Sequence, residues 1–227
     1  PFGCFSGWER FDAAGRPHGG VMGVPRGVET CDAHGNPLTL RWFDGTGTAA
    51  INTEGVHGWN ETRDAHGSML THVTVGLDGK PAPLNGAESG VRYRYDARGY
   101  VIERSLLGPR GEPFVSLDRN SGDRYTLGPL GELVELTHVD ANGHPVADRD
   151  GIARWRHERL ANGLLHAVRF FDADGAPVKG TDGVPTITYA YDTRRQRTDE
   201  VFLDADGRAA MGRGGYAKVR YQRDEEG

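Results

Sequence analysis

The stretch Phe171-Asp172-Ala173-Asp174-Gly175-Ala176-Pro177 decides the fold, because its punctuation returns along the whole chain. Glycine stands at 15, 47, 79, 111, 143, 175 and 207, a spacing of 32 kept without a miss. At the glycine frequency of this sequence such a series has a chance on the order of one in a million, so the period marks a structural repeat. Three residues before these glycines stand Asp12, Asp44, Gly76, Gly108, Asp140, Asp172 and Asp204, and two residues after them stand Pro17, Ala49, Pro81, Pro113, Pro145, Pro177 and Ala209. Asp followed by Gly three residues on suits a type I turn: the carboxylate accepts backbone N–H groups ahead of it and the glycine takes the positive φ of a bulge.

A second series lies twenty residues further on, in Asp32-Ala-His-Gly35, Asp64-Ala-His-Gly67 and Asp96-Ala-Arg-Gly99, with drifted copies at Gly128–Gly131, Leu160–Gly163 and Asp192–Arg195. Before it the sequence alternates, as in Val91-Arg-Tyr93-Arg-Tyr95 and Ile187-Thr-Tyr189-Ala-Tyr191, which predicts a half-buried strand. Between the second turn and the next first turn lie about eight residues ending in Phe43, Val75, Leu107, Val139, Phe171 or Leu203, a second strand. A short third piece carries the proline and closes with a loop around Gly23, Gly55, Gly151, Gly183 or Gly215. No segment of helical length shows a 3.6 period. The expectation is an all-β fold: tandem 32-residue repeats of short antiparallel strands, one repeat domain over 1–227 with seven units and turns near 12–15, 44–47, 76–79, 108–111, 140–143, 172–175 and 204–207. The stack is expected to be open; a closed, propeller-like ring of seven units is the alternative, since the two chain ends together complete one unit.

Composition agrees with a fold made of turns. Val, Ile, Leu and Phe make up about 20% of the 227 residues, which predicts a thin core, and Gly and Pro contribute 34 and 12. A net charge of -5 argues against a nucleic-acid partner, and no apolar run is long enough to span a bilayer. Cys4 and Cys31 lack C-x-x-C spacing and cannot make a disulfide framework; the sequence leaves their pairing open. The opening Pro1-Phe2-Gly3 lacks an initiator Met or signal pattern and reads as an excised or processed piece of a larger protein.

The segment Arg94-Tyr95-Asp96-Ala97-Arg98-Gly99-Tyr100-Val101-Ile102-Glu103 resembles the tyrosine–aspartate repeat of Rhs and teneurin-type proteins, and Tyr189-Ala-Tyr191-Asp192 is a partial second copy. The resemblance implies a secreted or cell-surface bacterial β-structure that builds a shell or scaffold and carries no chemistry itself.

Other motifs weigh less. Asp172-x-Asp174-Gly175 and Asp204-x-Asp206-Gly207 invite calcium, but Gly falls fourth and the distal acid is missing, so turn chemistry is the better account. Among nine histidines, His34 and His66 fall at equivalent turn positions with His57 and His72 nearby, without the paired spacings of a zinc site; they read as solvent-exposed turn residues, and no metal or cofactor is expected. No G-x-S-x-G, P-loop or dinucleotide fingerprint occurs, so no catalytic residue is assigned.

Two ladders could bind a partner. Tyr93, Tyr125, His157, Tyr189 and Tyr221 share one repeat position and could stack sugars or grip a peptide, although the apolar face they occupy favours a core role. Arg92, Arg124, Arg156 and Arg220 face the other way and could hold an anionic polymer; Glu103 and Glu135 are expected to neutralise Arg92 and Arg124 across the hairpin. The reading is a non-catalytic repeat scaffold or binding module for a protein or polysaccharide partner, with a carbohydrate-binding or carbohydrate-processing β-protein as the alternative.

Overall fold

A computed structural model of the chain describes Cys4 and residues 6–222; the opening Pro1-Phe2-Gly3 lies outside the described residues. The chain divides into two compact units, residues 1–116 and 117–227. The first holds β1 (Gly7–Glu9), β2 (Arg26–Cys31), β3 (Pro37–Phe43), β4 (Gly58–Arg63), β5 (Met69–Val75), β6 (Gly90–Tyr95) and β7 (Val101–Leu107). The second holds β8 (Gly122–Leu127), β9 (Leu133–Val139), β10 (Arg154–Arg159), β11 (Leu165–Phe171), β12 (Thr186–Tyr191), β13 (Arg197–Leu203) and β14 (Lys218–Arg220). Within each unit every strand pairs antiparallel with its sequence neighbours, the all-β repeat of short strands that the period implies. Helix among the described residues is confined to two single 3-10 turns, Gly20–Met22 and Leu84–Gly86, and none is long and apolar enough to cross a membrane. Among the described residues β1 pairs with β2 and β14 pairs with β13.

The hairpins follow from the turn letters. In β6–β7 the register runs Gly90↔Leu107 to Arg94↔Glu103, then slips between Arg94 and Tyr95, where the turn Asp96–Gly99 begins. Gly99 lies at φ 86 and its N–H donates to the Asp96 carbonyl at 3.0 Å, the bulged type I turn expected. The same slip precedes the corresponding turns of β2–β3, β4–β5, β8–β9, β10–β11 and β12–β13. Between hairpins the chain makes an excursion of two tight turns. At residues 44–57, Asp44–Gly47 turns the chain, Ala49 bridges back to Phe43, and Asn52–Gly55 turns it again. Where proline occupies the bridge, the next residue supplies the N–H: Ala82 donates to the Thr74 carbonyl at 2.9 Å and Val146 to that of His138 at 3.0 Å. The missing proline donor is therefore not needed.

The side-chain oxygen that organises a turn reaches its seat from three places. Asp140 Oδ1 accepts the N–H groups of Asn142 and His144 at 2.8 and 2.9 Å, the commonest arrangement. The His144 amide contributes most to holding the Asp140 carboxyl below its ordinary range. Where Gly76 replaces the aspartate, Asp78 takes the Lys80 N–H at 3.0 Å, and where Leu160 does, Asn162 takes the Leu164 N–H at 3.1 Å. Where Gly-Pro opens the turn, Glu112 and Glu132 reach back to the N–H groups of Arg110 and Leu130 at 2.7 and 2.9 Å. A β-carbon on Gly108 would lie 2.6 Å from Glu112 Oε1, so the glycine makes room for the glutamate.

The core lies between one sheet face and the excursions. In the first unit Val24, Leu40 and Trp42 pack with Trp8 and Trp59. In the second, Val168, Phe170, Ile187 and Phe202 of the strands meet Ile152 and Val184 of the excursions, with Trp155 against them. Alternate strand residues share a face, so Val168 and Phe170 both point into this cluster. Each such side chain contributes about 1.5–3 kcal/mol by leaving water.

Candidate functional site

The tyrosine–aspartate pair has a definite mechanical role. Asp96 Oδ1 accepts the N–H groups of Arg98 and Tyr100 at 2.9 and 3.0 Å and so sets the turn. Tyr95, one residue earlier, donates its hydroxyl to the Met69 carbonyl at 2.7 Å, tying its hairpin to the one before, and burial pushes its phenol up. Tyr191 repeats the tie in the second unit, donating to the Leu165 carbonyl at 2.9 Å. At the same repeat position Arg63 Nε donates to the Pro37 carbonyl at 3.2 Å. Cys31 stands there in the first repeat and forms a disulfide with Cys4, 27 residues back, which makes that tie covalent. The pairing left open by the sequence is thus explained by the repeat.

Four of the five residues of the tyrosine row, Tyr93, Tyr125, His157 and Tyr189, are half-buried. Tyr93 sits opposite Arg104 in β6–β7, and Tyr125 opposite Leu136 in β8–β9. Tyr189 lies under the Arg197 guanidinium, 4.4 Å from the ring centre, and burial is the main cause of its raised phenol pKa. Tyr221 is exposed and donates to the Glu200 carboxylate at 2.8 Å. His157 at the same position is half-buried, and burial lowers its imidazole.

The arginine row faces out, and its neutralisation differs from the expected pattern. Glu103 pairs with Arg94 at 2.8 Å and leaves Arg92 opposite Ser105, while Glu135 takes Arg156 from the next strand at 2.8 and 3.0 Å and leaves Arg124 opposite Thr137. The cause is register: Arg94 and Arg156 lie directly across from these acids. Arg124 instead donates to the Gly143 carbonyl at 3.1 Å, closing the turn beside it. Arg220 donates to Asp199 at 3.1 Å, and Lys218 and Arg220, in that order, hold the Asp199 carboxyl at about 2. Arg92 has no carboxylate partner among the described residues.

Sequence reasoning missed a polar cluster in the second unit. Asn120, Asp123 and His138 occupy repeat positions that hold Ile152 and Val184, Trp155 and Ile187, and Phe170 and Phe202 in the two repeats that follow. His138 Nδ1 lies 2.6 Å from Asp123 Oδ1, and Asn120 Nδ2 donates to the same oxygen at 3.2 Å. Nδ1 therefore carries the proton that Asp123 accepts. His138 Nε2 lies 3.9 Å from Asp148 Oδ2, and the edge of the ring meets Trp155 at 4.6 Å between centroids. Aligning the chain on its own period would have exposed the cluster as polar letters in apolar columns. It is a hydrogen-bonded plug in the core, and among the described residues no group of three or more His, Cys, Asp or Glu is placed to hold a metal.

The histidines divide. His34 and His66 are exposed at turns, whereas His57 is buried and donates Nδ1–H to the Ala50 carbonyl at 2.8 Å, so its assignment to solvent is corrected: it pins an excursion to the sheet. His72 is half-buried, 3.1 Å from Glu61 Oε1.

No protein-family model matches the chain. No curated protein matches it either. Among solved structures it is similar in fold to TcdB2-TccC3 without its hypervariable C-terminal region, with a TM-score of 0.51 and 15% identity over 78% of this chain. It is similar to the same extent to the TcdB2-TccC3-Cdc42 structure, with a TM-score of 0.51 and 16% identity over 78% of this chain. The chain spans 7% of the length of each of those chains.

Proposed function

We propose that this chain is a non-catalytic scaffold segment of a larger bacterial repeat protein of the tyrosine–aspartate class, working through protein–protein or surface contacts and without a cofactor. One observation carries the reading: three of the four arginines of the row, the tyrosines beside the turns and the turn acids are engaged in building the repeat. Arg124, Arg156 and Arg220 are bonded to a carbonyl or carboxylate, Tyr95 and Tyr191 tie hairpins together, and the turn acids hold backbone N–H groups. The likeness to short stretches of much longer TcdB2-TccC3 chains supports a building-block role, since a repeat of this kind acquires function from what it carries. The Cys4–Cys31 disulfide supports an oxidising, extracellular or cell-surface address.

The test separates stability from binding. Tyr189→Ala is expected to cost about 2 kcal/mol of stability, read by thermal melting, because it removes a half-buried ring from the core edge. On a glycan array neither this variant nor the parent chain should bind. Saturable binding of a polysaccharide, abolished by Tyr125→Ala at unchanged melting temperature, would replace the scaffold by the carbohydrate-binding alternative.

A further inference from the structure

Three Asn–Gly pairs occur in the chain, at 85, 142 and 162, and the fold treats them differently. Gly143 and Gly163 each close a bulged turn, their N–H groups donating to the carbonyls of Asp140 at 3.0 Å and Leu160 at 2.9 Å. Asn162 is held further through its Oδ1, which accepts the Leu164 N–H at 3.1 Å. In the repeat that contains Asn85 the glycine falls one position early, and the turn changes type. Asn85 lies at φ 49 and Gly86 at φ 77, both left-handed, and the turn is closed by the Ala87 N–H on the Leu84 carbonyl at 2.9 Å. This is type I′ geometry, in which the amide between the two central residues points away from the turn. The Gly86 N–H accordingly makes no backbone hydrogen bond among the described residues. Both residues are exposed, and a β-carbon built on Gly86 would meet nothing within 4 Å.

We propose that Asn85–Gly86 is a site of spontaneous covalent modification, deamidation with isomerisation to isoaspartate, and that the fold directs the reaction there and away from Asn142 and Asn162. Hydroxide removes the Gly86 amide proton, and the nitrogen attacks Asn85 Cγ. An N–Cγ bond forms, the Cγ–Nδ2 bond breaks as water returns a proton to Nδ2 and regenerates hydroxide, and ammonia leaves, giving a five-membered succinimide. One water then opens the ring at either carbonyl, yielding aspartate or isoaspartate. Glycine is the follower that obstructs this closure least, having no side chain. At 143 and 163 the same nitrogen must first give up its turn hydrogen bond. The product matters to the repeat: Asn85 N–H donates to the Glu54 carbonyl at 2.9 Å, joining neighbouring excursions, and isoaspartate lengthens the backbone within a two-residue turn.

The experiment incubates the folded chain at mildly alkaline pH and follows the three sites by peptide mapping with isoaspartyl methylation as a second readout. Conversion at Asn85 is expected to run about tenfold ahead of Asn142 and Asn162, the factor set by breaking one turn hydrogen bond. In denaturant the three rates should converge, because each asparagine precedes glycine. Equal rates in the folded chain, a lead by Asn142 or Asn162, or the same lead for Asn85 in denaturant would each overturn the proposal.

Discussion

Glu112 and Asp140 do the same work from opposite ends of a turn. Asp140 accepts from the N–H groups two and four residues ahead, whereas Glu112 accepts from the N–H two residues behind, after Gly108 has vacated the space an aspartate would fill. The two solutions should be interchangeable only as sets. Glu112→Ala is expected to lower the melting temperature, and Gly108→Asp added to it should restore the parent value. Gly108→Asp alone, with Glu112 present, should be the least stable of the three, because two carboxylates compete for one seat; a neutral result for that single variant would refute the account. The aspartate form was readable from the letters, since Asp-x-x-Gly states its own chemistry. The glutamate form looked like decay at Gly128–Gly131, because the compensating residue lies beyond the turn, at Glu132.

At the scale of the hairpin, six register pairs hold each turn-linked pair of strands, as from Gly90↔Leu107 to Tyr95↔Val101, while three hold it to the next, as from Thr71↔Arg92 to Val73↔Gly90. Ties such as Tyr95 to Met69 therefore act where the ladder is short. Tyr95→Phe keeps the ring and removes the bond; it is expected to cost about 1 kcal/mol and to speed amide exchange between β5 and β6 more than within β6–β7. Uniform acceleration would show that the hydroxyl does not act locally. β13 and β14 make an acid-sensitive version of the same joint. Asp199, ordinarily near 3.8, is held at about 2 by Lys218 and Arg220. A lowered folded-state pKa gives stability that is complete above the unfolded value and lost as pH falls through the folded one. The stability gap between the parent and Asp199→Asn should accordingly close between about pH 4 and pH 2, monitored by acid unfolding; a gap unchanged across that window would exclude the linkage. Strand positions and bulges were legible from alternation and turn letters. Salt-bridge partners were not, because pairing Glu135 with Arg156 depends on the register of residues 21 apart in sequence, across two strands that no hairpin turn joins, a relation no local pattern encodes.

Across a whole unit the repeat works as columns, and the second unit shows what one irregular column costs. His138→Phe puts the neighbouring repeats' residue in place but strips Asp123 of its 2.6 Å partner, and is expected to cost about 1–3 kcal/mol by urea unfolding. Adding Asp123→Ile and Asn120→Ile removes the stranded polar groups together and should recover that loss. If the triple variant is less stable than the single one, the cluster contributes more than mutual satisfaction. The plug is not legible in any single repeat, because a histidine in a phenylalanine column becomes conspicuous only when repeats are laid over one another. The movable carboxylate has a last implication, for descent. A lineage that can hand the same task to any of several neighbouring letters is free to rewrite its spelling while its rhythm stays intact, so kinship in such chains is recorded in intervals, and a search keyed to intervals would recognise cousins that comparison of letters passes over.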